Sequence, residues 1–127
     1  MSIEDLCKGD LVFVNARTSA TGSLGGEAGS WGADSGSGVE CRVDSMSASE
    51  VAKWAAKGMS VSHEVFFSSD QSLNGKYRLH WTKTDNLETV LSSKYLYVEG
   101  YYHENNPEAD LRLWIAVCRF EDTRGNT

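Results

Sequence analysis

Few residues in this 127-residue sequence stand at spacings that chemistry requires. His63-Glu64 opens like the HExxH signature, in which two histidines on one helical face hold zinc and the glutamate acts as general base. The second histidine is absent, because position 67 is Phe. The run from Val61 to Phe67 also alternates in polarity, and on a strand His63 and Glu64 face opposite sides. His63, His80 and His103 each sit in strand pattern, where a hydrogen-bonded core or rim histidine is expected in preference to a metal ligand. Ala28-Gly-Ser-Trp-Gly32 is loosely similar to a nucleophile elbow, but that motif needs an apolar strand before the serine and a helix after it. No Gly-rich phosphate cradle is present, and no Lys or Arg falls between Arg17 and Arg42. Glu104, Glu108 and Asp110 could gather round a cation, yet their spacing fits no calcium loop, and a solvated acidic turn is expected. These residues lead to the expectation of a protein with no catalytic, cofactor-binding or metal-binding residue, and no enzyme activity.

The charge balance narrows the partners. Eighteen acids against 12 bases give a net charge of −6, with no basic run, which argues against tight binding to a phosphate backbone. Cys7, Cys41 and Cys118 are odd in number and far apart in sequence, so neither a disulfide framework nor a CxxC knuckle is expected. Each lies in or beside an apolar stretch, as reduced, buried thiols made in a cytoplasm would. The longest apolar runs are too short to span a bilayer. MSIEDLCKGD carries acids where a signal peptide has a basic region.

The elements that would position any site follow from periodicity. Strands are expected at Leu11–Asn15, Val39–Val43, Val61–Phe67, Tyr77–Trp81, Tyr95–Glu99 and Leu111–Phe120, each alternating or β-rich, with Asn74-Gly75 as a turn. A short helix is expected over 47–57. Ser47-Ala-Ser-Glu50 is a capping box, Val51, Trp54 and Ala55 share a face, and Gly58 is a C-terminal stop. A helix this short needs packing against something. Between the first two strands lies 18–38, with seven of the twelve glycines, only Glu27 and Asp34 charged, and Leu24 and Trp31 as its large apolar side chains. Its composition predicts a long Gly/Ser-rich loop. Six closely spaced strands and one helix give a mainly β single domain over 1–127, an antiparallel barrel or sandwich.

Ser47-Ala-Ser-Glu50, Gly58, Val61-Ser-His-Glu-Val-Phe-Phe-Ser68 and Asp70 are similar to the central part of the head–tail joining (head closure, or stopper) proteins of tailed bacteriophages. So are Tyr95-Leu-Tyr-Val-Glu-Gly100, Leu113-Trp114 and Val117-Cys-Arg119, and the resemblance spans about Val39 to Glu121. It implies a small β-barrel assembled as a ring, usually of about twelve, in the neck of a virion made in the host cytoplasm. The ring would sit below the portal and adaptor, help retain packaged DNA, contact double-stranded DNA transiently and present a platform to tail proteins. A tail-terminator or adaptor ring subunit is the neighbouring alternative. From another class comes a small binding module that stacks ligands on Tyr77, Trp81, Tyr95, Tyr97, Tyr101 and Tyr102.

Under the ring reading the candidate channel-gating residues are Gly22, Leu24, Glu27, Trp31 and Asp34. A 21-residue excursion, out and back, would reach about 30–35 Å. Candidate ring or partner contacts are Glu50, Trp54 and Lys57 on the helix, and Glu104, Glu108 and Asp110 in the acidic turn.

Overall fold

The computed structural model describes residues 6–21, 27–92, 94–106 and 111–122. In chain order the elements are β1 (Asp10–Thr21), β2 (Glu27–Trp31), β3 (Val39–Ser45), helix α1 (Ala48–Ala55), β4 (His63–Phe67), β5 (Tyr77–Thr84), β6 (Thr89–Val90), β7 (Lys94–Asn106) and β8 (Leu111–Asp122). Strands pair antiparallel in the order β1-β3-β4-β8-β7-β5, and β5 returns to β1, so six strands close a barrel. Strand β2 lies outside that ring, on β1, and the two-residue β6 extends β5.

Alternation explains which side chains fill the barrel. Val12, Cys41, Val65, Phe67, Leu79, Leu96, Val98, Ala116 and Cys118 are all 3% exposed or less, and they form one core with Leu73. Because the side-chain period is two, their neighbours point outward and form the walls, although on β8 the outward Ile115 and Val117 are also buried, at 2% and 0% exposed. A carboxylate enters this interior. The buried carboxylate of Asp10 accepts from Trp81 Nε1 at 3.0 Å and from the Val43 N–H at 3.0 Å, tying β1 to β5 and β3.

All six expected barrel strands are present, and several run longer. Strand β7 pairs with β8 from Lys94↔Asp122 to Asn106↔Leu111, with a bulge between Val98 and Gly100. Glu104, expected in an acidic turn, is therefore in strand.

The Gly/Ser-rich segment departs further from expectation. Strand β1 continues to Thr21 and β2 returns beside it, Arg17↔Trp31 through Thr21↔Glu27. Two paired legs satisfy each other's backbone groups, which offsets the poor strand propensity of Gly and Ser. The barrel pairing of β1 ends at Ala16↔Tyr77, so the hairpin carries on beyond the barrel. Beyond that pair, Arg17–Thr21 advances about 17 Å at ~3.4 Å per residue. Gly32–Gly38 does not join the excursion. The Gly32 N–H donates to Ala16 O at 2.8 Å, and pairing with β1 resumes at Val12↔Val39. Gly38 makes the corner at φ +82°, and a Cβ there would stand 3.1 Å from the Leu11 side chain and 3.2 Å from Val12 O.

The helix forms as its caps require. The Ser47 hydroxyl accepts from the Glu50 N–H, and the Glu50 carboxylate accepts from the Ser47 N–H. At the other end Gly58, at φ +84°, and Met59 donate to Ala55 O and Trp54 O, a Schellman closure. No helix residue is fully buried, but Val51 and Trp54 are partly buried, the Trp54 ring 6.4 Å from that of Tyr102.

Candidate functional site

Two outer walls of the barrel gather the chemistry-bearing side chains. On the first, strand alternation places Arg78 and His80 of β5 beside Tyr95 and Tyr97 of β7, with cross-strand pairs Arg78↔Tyr97 and His80↔Tyr95. The Arg78 guanidinium lies 3.9 Å from the centre of the Tyr95 ring and 4.9 Å from that of Trp31, which β2 delivers from outside the barrel. His80 stacks on Tyr95 at 4.7 Å, Trp31 meets Tyr97 edge-on at 5.6 Å, and Arg119 of β8 covers Tyr97 at 4.7 Å. Arg119 is held by Glu121 at 2.9 Å and Glu99 at 3.5 Å. Beside this stack is an open cavity of about 310 Å³, lined by residues that include Arg17, Trp31, Tyr97 and Arg119. Guanidinium planes sandwiched on aromatic faces are already paid in orientation, so they offer a rigid cationic surface.

One carboxylate fixes the position of Trp31. Asp34 accepts from Asn15 Nδ2 at 2.9 Å and contacts His80 Nδ1 at 2.7 Å, while Asn15 Oδ1 accepts from Arg78 Nε at 3.1 Å. Asn15 is 2% exposed, so this chain of bonds pins the return after β2 to β1 and β5.

The second wall is acidic. Glu64 points outward from β4 toward the helix, and its carboxyl is hydrogen-bonded to that of Glu50. Burial, that hydrogen bond and the charges of Glu50, Asp44 and Glu104 push Glu64 up to about 7, whereas hydrogen bonds from Glu64 and Ser47 lower Glu50. Glu64, Glu104 and Glu50 add to burial in pushing Tyr102 up to about 12. Next to them, Trp54, Met59, Gly100, Tyr101 and Tyr102 line an open hollow of about 460 Å³, with Lys53 and Glu104 among its lining residues. Lys57 covers Trp54 at 4.9 Å.

The expected site residues divide accordingly. Glu50, Trp54, Lys57 and Glu104 do come together on the acidic wall; Glu108 and Asp110 lie outside the described residues. Of the gating set, Trp31 and Asp34 turn inward onto the barrel wall. Gly22 and Leu24 lie outside the described residues, as does the side chain of Glu27, whose backbone is in β2. Tyr77, Trp81 and Tyr101, expected on an aromatic ligand surface, pack against the core; Tyr95, Tyr97 and Tyr102 face out. Sequence reasoning missed Arg78 and His80 on this surface, and Asn15 beneath it. The alternation Tyr77-Arg-Leu-His-Trp81 held the signal, since it puts Arg78 and His80 on the face opposite the buried Leu79.

His63 and Glu64 do face opposite sides. The His63 ring sits 5.1 Å from Phe120 and 6.2 Å from Trp81, with Nδ1 2.8 Å from Ser62 Oγ. Since Ser62 Oγ accepts from the Phe120 N–H, its own proton is available to His63 Nδ1, and burial lowers the histidine. Ser30 of the elbow-like run lies within β2 paired with Thr18, with no helix after it. The three cysteines are free and buried, and burial raises Cys41 and Cys118. Among the described residues no three His, Cys, Asp or Glu side chains gather as a metal site, and no helix is long and apolar enough to cross a membrane. Comparison with protein-family models finds no match, and neither does comparison with curated proteins.

Proposed function

We propose that this chain is a non-enzymatic structural subunit of a phage neck, a ring-forming head closure protein between the portal–adaptor complex and the tail. The observation that carries the reading is the β1–β2 hairpin, which leaves the closed barrel past Ala16↔Tyr77 while Asp34 anchors its base. A rigid barrel with an anchored, Gly-rich projection is what a channel-lining subunit needs: the barrel packs in the ring and the projection reaches the lumen. The hairpin tip contains no Lys or Arg from Thr18 to Trp31, which favours release of a polyanion. In this reading the gate is Arg17–Trp31, shorter than the 30–35 Å first expected, because Gly32–Gly38 stays on the barrel. Ring partners would be about eleven further copies, the portal–adaptor ring above and tail proteins below.

The test is deletion of Gly22–Gly26 with its flanking pairs Ala20–Ala28 in an infecting phage genome. The reading expects rings that form normally and filled heads that lose DNA. Tight, infectious particles from the deletion would refute the gate, and a purified protein that stays monomeric with its portal–adaptor ring present would refute the ring.

A second reading, a binding module with an aromatic ligand surface, is favoured by the Trp31–Arg78–Tyr95 stack. Retention of the monomer on a glycan or single-stranded nucleic-acid column, lost in Trp31→Ala, would support it over the ring.

A further inference from the structure

The geometry points to a carboxylate site on the cation–aromatic wall, in which the Arg78 guanidinium takes the Asp or Glu side chain of a partner polypeptide and a neighbouring side chain of that partner enters the cavity beside Trp31. The site lies within one chain, so the inference goes beyond the ring reading and does not need it.

The first observation is a cation without an anion. Arg78, Tyr97 and Arg119 are successive register partners across β5, β7 and β8. Arg119 already holds Glu121 and Glu99, and His80, two positions on from Arg78, contacts Asp34. Arg78 has no carboxylate partner among the described residues. Its Nε donates to Asn15 Oδ1 at 3.1 Å, while its Nη1 and Nη2 groups have no acceptor there. No buried side-chain nitrogen among the described residues lacks a partner, so these two groups reach solvent.

The second is preorganisation. The guanidinium lies 3.9 Å from the centre of the Tyr95 ring and 4.9 Å from that of Trp31. The Asn15 amide that pins its Nε is 2% exposed and is itself bonded to Asp34. An arginine fixed in this way has given up its rotamer freedom before a ligand arrives. The planar fork that remains matches a carboxylate through two parallel hydrogen bonds. On the same wall the Trp31 Nε1–H and the hydroxyls of Tyr95 and Tyr97 also have no hydrogen-bond partner among the described residues.

The third is what the site excludes. A DNA strand carries a phosphate about every 3.4 Å and is held by several cations at once. Around Arg78 the wall mixes Arg17, Lys76 and Arg119 with Asp34, Glu99 and Glu121, a field that suits one anionic group better than a run of them. An exposed ion pair alone also holds a ligand weakly. The carboxylate therefore has to belong to a larger body that covers Trp31. The open cavity of about 310 Å³, lined by Trp31, Tyr77 and Tyr97 among others, has room for a large side chain next to it. Aromatic and Arg anchors of this kind dominate the affinity of protein interfaces.

The experiment titrates blocked tetrapeptides into the full chain. NMR follows the Nε–H of Arg78 and the indole N–H of Trp31, the latter assigned among the four tryptophans with Trp31→Phe. One peptide has Glu followed by Phe, and its twin has Gln in place of the Glu. The Glu peptide should shift both signals saturably, and the Gln twin should bind at least tenfold more weakly. Arg78→Lys, verified as folded by circular dichroism, keeps the charge but loses the fork, and should also weaken binding at least tenfold. Acetate should bind at least tenfold more weakly than the Glu peptide. No saturable shift, equal binding of the two peptides, or equal binding by wild type and folded Arg78→Lys overturns the carboxylate site. Acetate that binds as tightly as the peptide overturns the polypeptide partner in favour of a free carboxylate, and an oligothymidylate that binds more tightly than either overturns it in favour of nucleic acid. The comparison of the two peptides uses wild-type protein, so it decides the matter even where Arg78→Lys does not fold. Each of these results leaves the ring and the gate to their own tests.

Discussion

Removing the Asp34 carboxylate should release the base of the hairpin without touching the barrel core. In Asp34→Ala the buried Asn15 amide loses its 2.9 Å partner and His80 loses its 2.7 Å one. A hydrogen bond from a buried amide to a carboxylate contributes about 1.5–3 kcal/mol. The contact to His80 lies nearer solvent, the two side chains being 19% and 34% exposed, and is worth at most about 1 kcal/mol. Together the loss is about 2–3 kcal/mol, or ~6–15 °C in Tm for a chain of this size. Asp34→Asn, which keeps an acceptor for Asn15, should lose about half as much. Thermal melting followed by circular dichroism measures the shift. Limited trypsinolysis, mapped by mass, reads whether the bond after Arg17 opens. A Tm within ~2 °C of wild type, with the Arg17 site as resistant as before, would refute the idea that Asp34 anchors the return.

Three further outcomes follow from the same geometry. Glu64 holds its proton to about pH 7 in the folded chain against 4.5 for an ordinary glutamate, so the folded state binds more protons and stability falls as pH rises from 4.5 through 7. Solvent screening holds that loss to about 1 kcal/mol, and Glu64→Gln should flatten the dependence in urea unfolding at pH 5 and pH 8. Asp10→Ala leaves the Val43 N–H without its carboxylate, and Trp81 Nε1 with only the 3.2 Å contact to Lys83 O; a loss of about 2–4 kcal/mol is expected from chemical denaturation. Cys7, Cys41 and Cys118 should react with a thiol reagent only at the rate of unfolding, so any thiol that labels in native buffer within minutes contradicts their burial.

The barrel was legible because its six strands alternate or are β-rich, and its helix is written in local capping residues. What one residue says about its immediate neighbours survives into the fold. The hairpin was not legible, because Gly, Ser and Thr on β1 and β2 carry weak strand preference, and only pairing across Arg17↔Trp31 makes them strands. Gly32–Gly38 likewise owes its course to Asn15 and His80, which no spacing rule connects to Asp34. Glu50 and Trp54 were readable as helical positions because the capping box and the i, i+3, i+4 pattern are local, whereas Lys57, expected within the helix, lies past its end at Ala55. The cation–aromatic wall was half visible: the aromatic rows could be seen, but which of them face out depended on the bulge between Val98 and Gly100, which shifts the alternation before Tyr101.

The closure of the barrel by β1 also bears on how quickly the chain can fold. Its partners there are distant: Asn15 meets Arg78 across 63 positions and Asp10 meets Trp81 across 71. Such pairings bear a loop-closure entropy that local hairpins escape, and chains dominated by them fold in milliseconds to seconds. During synthesis β1 emerges first, and its β5 partner follows only after β3 and β4. Only five residues separate β1 from β2 in the chain, so the outer half of β1 can pair early, while its inner half remains an open edge until β5 arrives. The interval in which β1 is open to unwanted strand pairing is therefore set by the Leu11–Ala16 stretch, and it ends when β5 pairs with it.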